Sequence, residues 1–252
     1  MGGRFLLCKS SSLVFLLPSS YATQFRFKSF SSSPKNPKLN RMAAEASLSS
    51  SSFINNDDNT TALAADNGST TSSAIDFLSL CHRLKTTKRA GWVKRDVKEP
   101  ESIADHMYRM GLMALISSDI PGINRDKCIK MAIVHDIAEA IVGDITPSDG
   151  ISKEEKSQRE REALDHMCNL LGGGLRAKEI GLLWMEYEEN SSPEAKIVKD
   201  FDKVEMILQA LEYENEQGHD LDEFFQSTAG KFQTDLGKAW AAEIVSRRRK
   251  RH

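Results

Sequence analysis

Residues 125–142 read RDKCIKMAIVHDIAEAIV. Apolar side chains recur at every third or fourth position, the spacing of a helix rather than a strand. At about 100° per residue, Met131, Ile133, Val134, Ile137 and Ile141 surround the axis almost completely. A helix apolar all round sits at the centre of a fold. Yet His135, Asp136 and Glu139 share one arc of it, at about 40°, 140° and 80° from Met131. Small Ala132 and Ala138 leave space beside them. Buried charge without a partner is costly. A metal ion is a suitable partner, because it takes neutral imidazole and carboxylate together.

The segments on either side continue the pattern. Ser102, after Pro100, reads as an N-cap and opens a helix to about Ser117. His106 lies on its apolar face with Ile103, Met110 and Met113. One histidine on such a face is more often a satisfied core residue; two on consecutive helices point to a shared site. Pro121-Gly122 breaks the chain, Asn124 caps the next helix, and Gly143 to Gly150 form a loop that carries Asp144. A further helix is expected from Ile75 to Lys85, before an irregular charged stretch from Thr86 to Glu101. Ser152-x-x-Glu155 has the capping-box pattern for a long polar helix ending at Gly172-Gly173-Gly174. Helices from Leu175 to Glu189, from Pro193 to about Glu216 and from Phe232 to Arg248 complete the body. Ser192-Pro193 is a clean start signal, with proline at the first helical position. Strand signals are nearly absent, so residues 74–248 are expected to form an all-α helical bundle.

The remainder of the chain differs. Residues 1–73 hold seven basic side chains, four acidic ones and 17 serines, and all four acids follow Met42. A basic tail thus precedes an acidic body. Such a stretch cannot bury enough apolar surface to fold alone, and disorder is expected. Arg and Ser without early acids reads as a transit peptide for plastid or mitochondrion. The alternatives are a secretory signal cleaved near Ser20-Tyr21-Ala22, an untargeted tail, and a cytosolic form started at Met42. No apolar run reaches membrane-spanning length. The four cysteines, Cys8, Cys81, Cys128 and Cys168, form no C-x-x-C pair, which argues against a disulfide scaffold or a cysteine zinc site. A net charge of -2 over 252 residues disfavours a nucleic-acid-binding module. The basic run from Arg247 to Arg251 reads as a frayed terminus.

Three blocks carry a resemblance: PESIADHMYRM at 100–110, HDIAEAIVGDI at 135–145 and DKVEMILQA at 202–210. Together they resemble the HD-domain phosphohydrolases, and among them the 5′-deoxynucleotidase family, over about Ile75 to Trp240. The resemblance implies an HD-domain helical bundle that binds a divalent cation through His106, His135, Asp136 and Asp202. Periodicity alone does not choose between Asp200 and Asp202; the motif favours Asp202. Glu139 and Asp144 match a second carboxylate pair that positions the attacking water or holds a second metal. Arg89 matches a phosphate clamp, and Trp92 a wall of the sugar pocket. In the bacterial enzymes these two are adjacent; here Ala90-Gly91 intervene. The implied reaction is hydrolysis of deoxyribonucleoside 5′-monophosphates by a homodimer, with no nucleic acid or membrane as partner. Mixed nitrogen and oxygen ligation suits Mn²⁺ or Co²⁺, with Fe²⁺ and Zn²⁺ as alternatives, and Mg²⁺ suits a carboxylate-rich second site. The rival functions are hydrolysis of guanosine tetraphosphate or a cyclic nucleotide, and a non-catalytic helical adaptor.

Overall fold

The computed structural model describes residues 70–249. The expected disordered tail, transit peptide and alternative start lie outside these residues, except for Thr70–Ser73. Thr71–Ser73 form the first turn of a helix, because the Thr70 side chain caps it by accepting the Ser73 N–H at 3.0 Å. Among the described residues ten α-helices follow one another: α1 Thr71–Thr86, α2 Ala90–Val93, α3 Ile103–Ile116, α4 Arg125–Val134, α5 Glu139–Val142, α6 Lys153–Leu170, α7 Gly174–Glu189, α8 Pro193–Gln217, α9 Asp222–Thr228 and α10 Asp235–Arg249. No strand forms among the described residues, and the all-α expectation holds there. None of these helices is long and apolar enough to cross a membrane.

The caps act as the sequence signals indicate. Ser102 accepts the Asp105 N–H while Asp105 accepts the Ser102 N–H, a reciprocal box. Asn124, Ser152 and Ser192 each accept a backbone N–H three residues on, at 3.0, 3.1 and 3.0 Å. Each such cap satisfies an orphan donor and contributes about 1 kcal/mol. The longest helix, α8, runs through the core. Val198, Phe201, Val204, Ile207 and Ala210 are all essentially inaccessible. They pack with Ile103, Met110 and Ala114 of α3 and with Met131 and Ala132 of α4 in one cluster. Full burial of a large apolar side chain contributes roughly 1.5–3 kcal/mol.

Three expectations are corrected. The helix expected over Arg125–Val142 is divided in two. After Val134 the N–H groups of Ile137, Glu139, Ala140 and Ile141 bond carbonyls three residues back, not four. Along this segment His135 and Glu139 turn inward, each 2% exposed, while Ile133 is 53% and Ile141 37% exposed. The segment is therefore not apolar all round. The irregular stretch before α3 contains the single turn α2. Its flank is fastened to the start of α3 by Arg89 N–H to Glu101 O and Ile103 N–H to Thr87 O, both 3.0 Å. The basic C-terminal run does not fray as far as it is described. Arg248 donates to Glu214 at 2.8 Å and to Asp222 at 2.6 Å and covers the Phe225 ring. This tie, with Phe225 in the core, holds α9, a helix too short for periodicity to reveal.

Asp200 and Asp202 separate cleanly. Asp200 is fully buried and accepts the N–H groups of Gln233 and Thr234 and the Thr234 hydroxyl. It therefore joins α8 to the start of α10. Gly237 makes that contact sterically feasible, since a Cβ there would lie 2.5 Å from Asp200 Oδ2. Asp202 points elsewhere.

Candidate metal centre and active site

Three elements meet around two imidazoles. α3 supplies His106, the tight turn after α4 supplies His135 and Asp136, and α8 supplies Asp202. His106 Nδ1 lies 2.6 Å from Glu205 Oε2, and His135 Nδ1 lies 2.9 Å from the Ala132 carbonyl. A carboxylate and a carbonyl can only accept, so both Nδ1 atoms donate. In the neutral imidazole, the form that binds a cation, both Nε2 atoms then present a lone pair. They are buried and have no hydrogen-bond partner. Asp202 Oδ1 stands 3.3 Å from His106 Nε2. Asp136 Oδ2 stands 3.2 Å from His135 Nε2 and 3.9 Å from His106 Nε2. Ligand atoms of His106, His135 and Asp202 lie within 4.8 Å of one another. Two orphaned imidazole nitrogens facing two carboxylates fit a divalent cation, which would satisfy all four at once.

Arg89, Glu139 and Asp144 gather beside this group. Arg89 Nη1 lies 3.1 Å from Asp136 Oδ2, 3.5 Å from Asp144 Oδ1 and 3.6 Å from Glu139 Oε2. The other oxygen of Asp144 accepts the Ala90 N–H at 2.8 Å, which locks the Arg89 segment to the loop after α5. Gly143, with φ of 76°, turns the chain so that Asp144 can reach back. Glu139 and Asp144 thus converge on Arg89, outside the 4.8 Å group of His106, His135 and Asp202. Asp136 is the residue common to both halves. Burial alone would weaken the Arg89 cation, but Asp144, Asp136 and Glu139 outweigh it and raise its pKa. Burial, reinforced by Asp136 and Asp144, holds the Glu139 carboxyl well above the usual range. Asp136 moves the opposite way: despite burial, the positive charge around it, the Arg89 guanidinium included, keeps it low.

Trp92 is placed differently from its expected role. Its indole is 2% exposed, with Phe224 and Tyr213 ring centroids at 4.4 and 5.4 Å. Its Nε1–H donates to Glu101 Oε1 at 2.8 Å. A sugar-pocket wall needs an accessible ring, and this one is buried. Trp92 anchors α2, and so the neighbouring Arg89, rather than facing the cluster.

The HD domain family model matches residues 81–244. The chain belongs to the HD-domain family. Within it, the chain is similar to "5′-deoxynucleotidase HDDC2" of Danio rerio, 55% identical over 160 residues, 63% of this chain and 79% of that protein. The Dictyostelium discoideum protein of the same name is 48% identical over 71% of this chain and all of its own length. Among solved structures, the PH0347 protein of Pyrococcus horikoshii superposes with a TM-score of 0.58 at 36% identity, covering 69% of this chain and 98% of that one.

Several side chains at this HD-domain site carry no mark in the sequence pattern. The Tyr187 hydroxyl donates to Asp202 Oδ2 at 3.0 Å, and its ring lies 4.9 Å from that of His135. Lys199 Nζ sits 3.9 Å from the Tyr187 ring centroid. Lys156 Nζ is 3.9 Å from Glu139 Oε1, on a different carboxylate oxygen from the one facing Arg89. Arg109 and Glu205 lie behind His106. Helical spacing could have found this last pair. Arg109 follows His106 by three residues and Glu205 follows Asp202 by three, so each shares a face with a marked residue. Nothing local marks Tyr187, which comes from a separate helix.

Proposed function

We propose that this chain is a metal-dependent 5′-deoxynucleotidase, releasing phosphate from deoxyribonucleoside 5′-monophosphates. The observation that carries the reading is the pair of orphaned Nε2 atoms facing Asp202 and Asp136, with Arg89 3.1 Å from Asp136. The names of the similar proteins support the choice of substrate. We assign His106, His135, Asp136 and Asp202 as cation ligands, with Mn²⁺, Co²⁺ or Mg²⁺ as the favoured ions. Such a cation supplies Lewis acidity toward a phosphate oxygen and acidifies water. Glu139, with its raised carboxyl pKa, accepts a proton from the attacking water as the new P–O bond forms. The bond to the 5′-oxygen breaks, its electron pair stays on that oxygen, and the oxygen takes up a proton from solvent. Arg89 offers its planar donors to the phosphoryl oxygens. Asp144 holds Arg89 and its segment in place.

We also propose a homodimer, in line with the bare apolar stripe Tyr108, Leu112, Leu115 and Ile116 on the outer face of α3. The transit-peptide reading of residues 1–73 likewise stands as a proposal; a fluorescent fusion of that segment tests it.

The deciding experiment strips the full chain of metal, resupplies Mn²⁺, Co²⁺ or Mg²⁺, and follows phosphate release from each deoxy and ribose 5′-monophosphate, beside Glu139→Ala. Metal-dependent release from deoxy forms, abolished in the variant, is the expected result. Equal rates on ribose forms would remove the sugar preference. No release from any monophosphate would overturn the assignment.

A further inference from the structure

Asp202 and Glu205 lie one turn apart on α8 and address the same imidazole from its two ends. Asp202 Oδ1 is 3.3 Å from His106 Nε2, and Glu205 Oε2 is 2.6 Å from Nδ1. Glu205 is fully buried. A carboxylate there would be costly if unpaired, but Arg109 from α3 meets it. Arg109 Nε donates to Glu205 Oε1 at 2.8 Å, and Nη2 lies 2.7 Å from the same oxygen. The remaining donors of Arg109 go to Glu212 at 2.7 Å and Gln209 at 2.5 Å. The two oxygens of Glu205 therefore serve different partners, Oε2 the imidazole N–H and Oε1 the guanidinium. His135 has no such backing, since its Nδ1 meets only the neutral Ala132 carbonyl. The two imidazoles are inequivalent, one backed by a charge and one by a dipole.

We propose that Glu205, fixed by Arg109, is a positioning residue for the cation site: it holds His106 with its proton on Nδ1 and its Nε2 lone pair directed at the cluster. The proposal rests on the reading of that cluster as a divalent-cation site. Its chemistry is specific to two oxygens. A glutamine at 205 has one carbonyl oxygen and must turn its amide toward either Nδ1 or Arg109. Turned toward Nδ1, the amide forces the proton onto Nε2, where it faces the cation. Turned toward Arg109, it sets donor against donor and loosens the side chain that orients the ring. An aspartate keeps both acceptors on a shorter stem and should restore part of the function.

The test titrates the metal-stripped full chain with Mn²⁺ by calorimetry, at a temperature where circular dichroism shows every variant folded. Glu205→Gln and Glu205→Ala are expected to weaken binding by about 10–100-fold, the range for partners behind metal-ligating histidines. Glu205→Asp should recover part of that loss. Glu212→Gln, which removes the charge of an Arg109 partner remote from His106, should bind like wild type. Visible Co²⁺ spectra supply the readout that a merely structural role would leave unmoved: the d–d bands shift in Glu205→Gln and not in Glu212→Gln. Wild-type affinity and an unshifted Co²⁺ spectrum in Glu205→Gln would overturn the proposal and leave the cation site standing. Weakened affinity that merely tracks loss of helical signal would make Glu205 structural and overturn it too. A wild-type chain that binds neither ion would instead overturn the cation reading, and this proposal with it.

Discussion

Tyr187 and Asp202 are joined across α7 and α8 by a hydrogen bond of 3.0 Å to Oδ2, which leaves Oδ1 for the His106 side. The phenol fixes the rotation of the carboxylate. Tyr187→Phe keeps the ring against His135 but frees that oxygen to turn. The expected outcome is Mn²⁺ affinity reduced by up to about tenfold, with metal-free stability lower by about 1 kcal/mol. Calorimetry and thermal melts check both. Unchanged affinity would mean that Asp202 needs no such partner.

Arg89 faces three carboxylates, yet its expected partner is a phosphate. Arg89→Ala should lower kcat/KM on deoxynucleoside monophosphates by about 100-fold or more, the scale for removing a charge-stabilising donor. Mn²⁺ affinity should not fall, because a competing cation beside Asp136 has been removed. Arg89→Lys should recover little, since an ammonium lacks the planar fork. Parallel loss of metal and activity would instead make Arg89 a support for the carboxylates.

How far the sequence reaches is clearest at residues 125–142. Periodicity locates the helix and picks out His135, Asp136 and Glu139 as misplaced polar groups. It does not foresee the change to three-residue bonding after Val134, because that depends on tertiary fit rather than local propensity. The same limit explains Trp92. The family resemblance implies a pocket wall, but Phe224, 132 positions later, packs against its ring. Caps at Ser102, Asn124, Ser152 and Ser192 are legible, because each is a local bond three residues long. Arg109 and Glu205 become legible only once His106 and Asp202 have marked the faces they share.

Asp200 and Asp202 make a paired prediction. Asp200 satisfies backbone donors at the start of α10, so Asp200→Ala should cost about 3 kcal/mol or more, the scale for breaking a buried charged network. Its Mn²⁺ affinity should stay near wild type wherever the variant is folded. Asp202→Ala should do the reverse, with metal binding lost and a smaller change in melting temperature. Gly237→Ala should resemble Asp200→Ala, because its added Cβ would lie 2.5 Å from Asp200 Oδ2. Loss of metal binding in Asp200→Ala at full helical content would reverse the two assignments.

Glu160 gives the fold a pH dependence. It is buried on α6, with Lys156 Nζ at 3.4 Å. Burial raises its pKa from 4.5 to about 7; Lys156 opposes the rise and Glu188 adds to it. Between these two values the folded chain keeps a proton that the unfolded chain has released. Stability from this group is therefore full below about pH 4.5 and is lost as pH rises through about 7. Glu160→Gln stays neutral at every pH and should flatten that loss. In metal-free protein, the variant should melt about a few degrees higher than wild type at pH 8 and nearly together with it at pH 4.5. Melting curves at the two pH values decide the matter. A wild-type advantage at pH 8 would show that the Lys156 pairing outweighs the cost of burial.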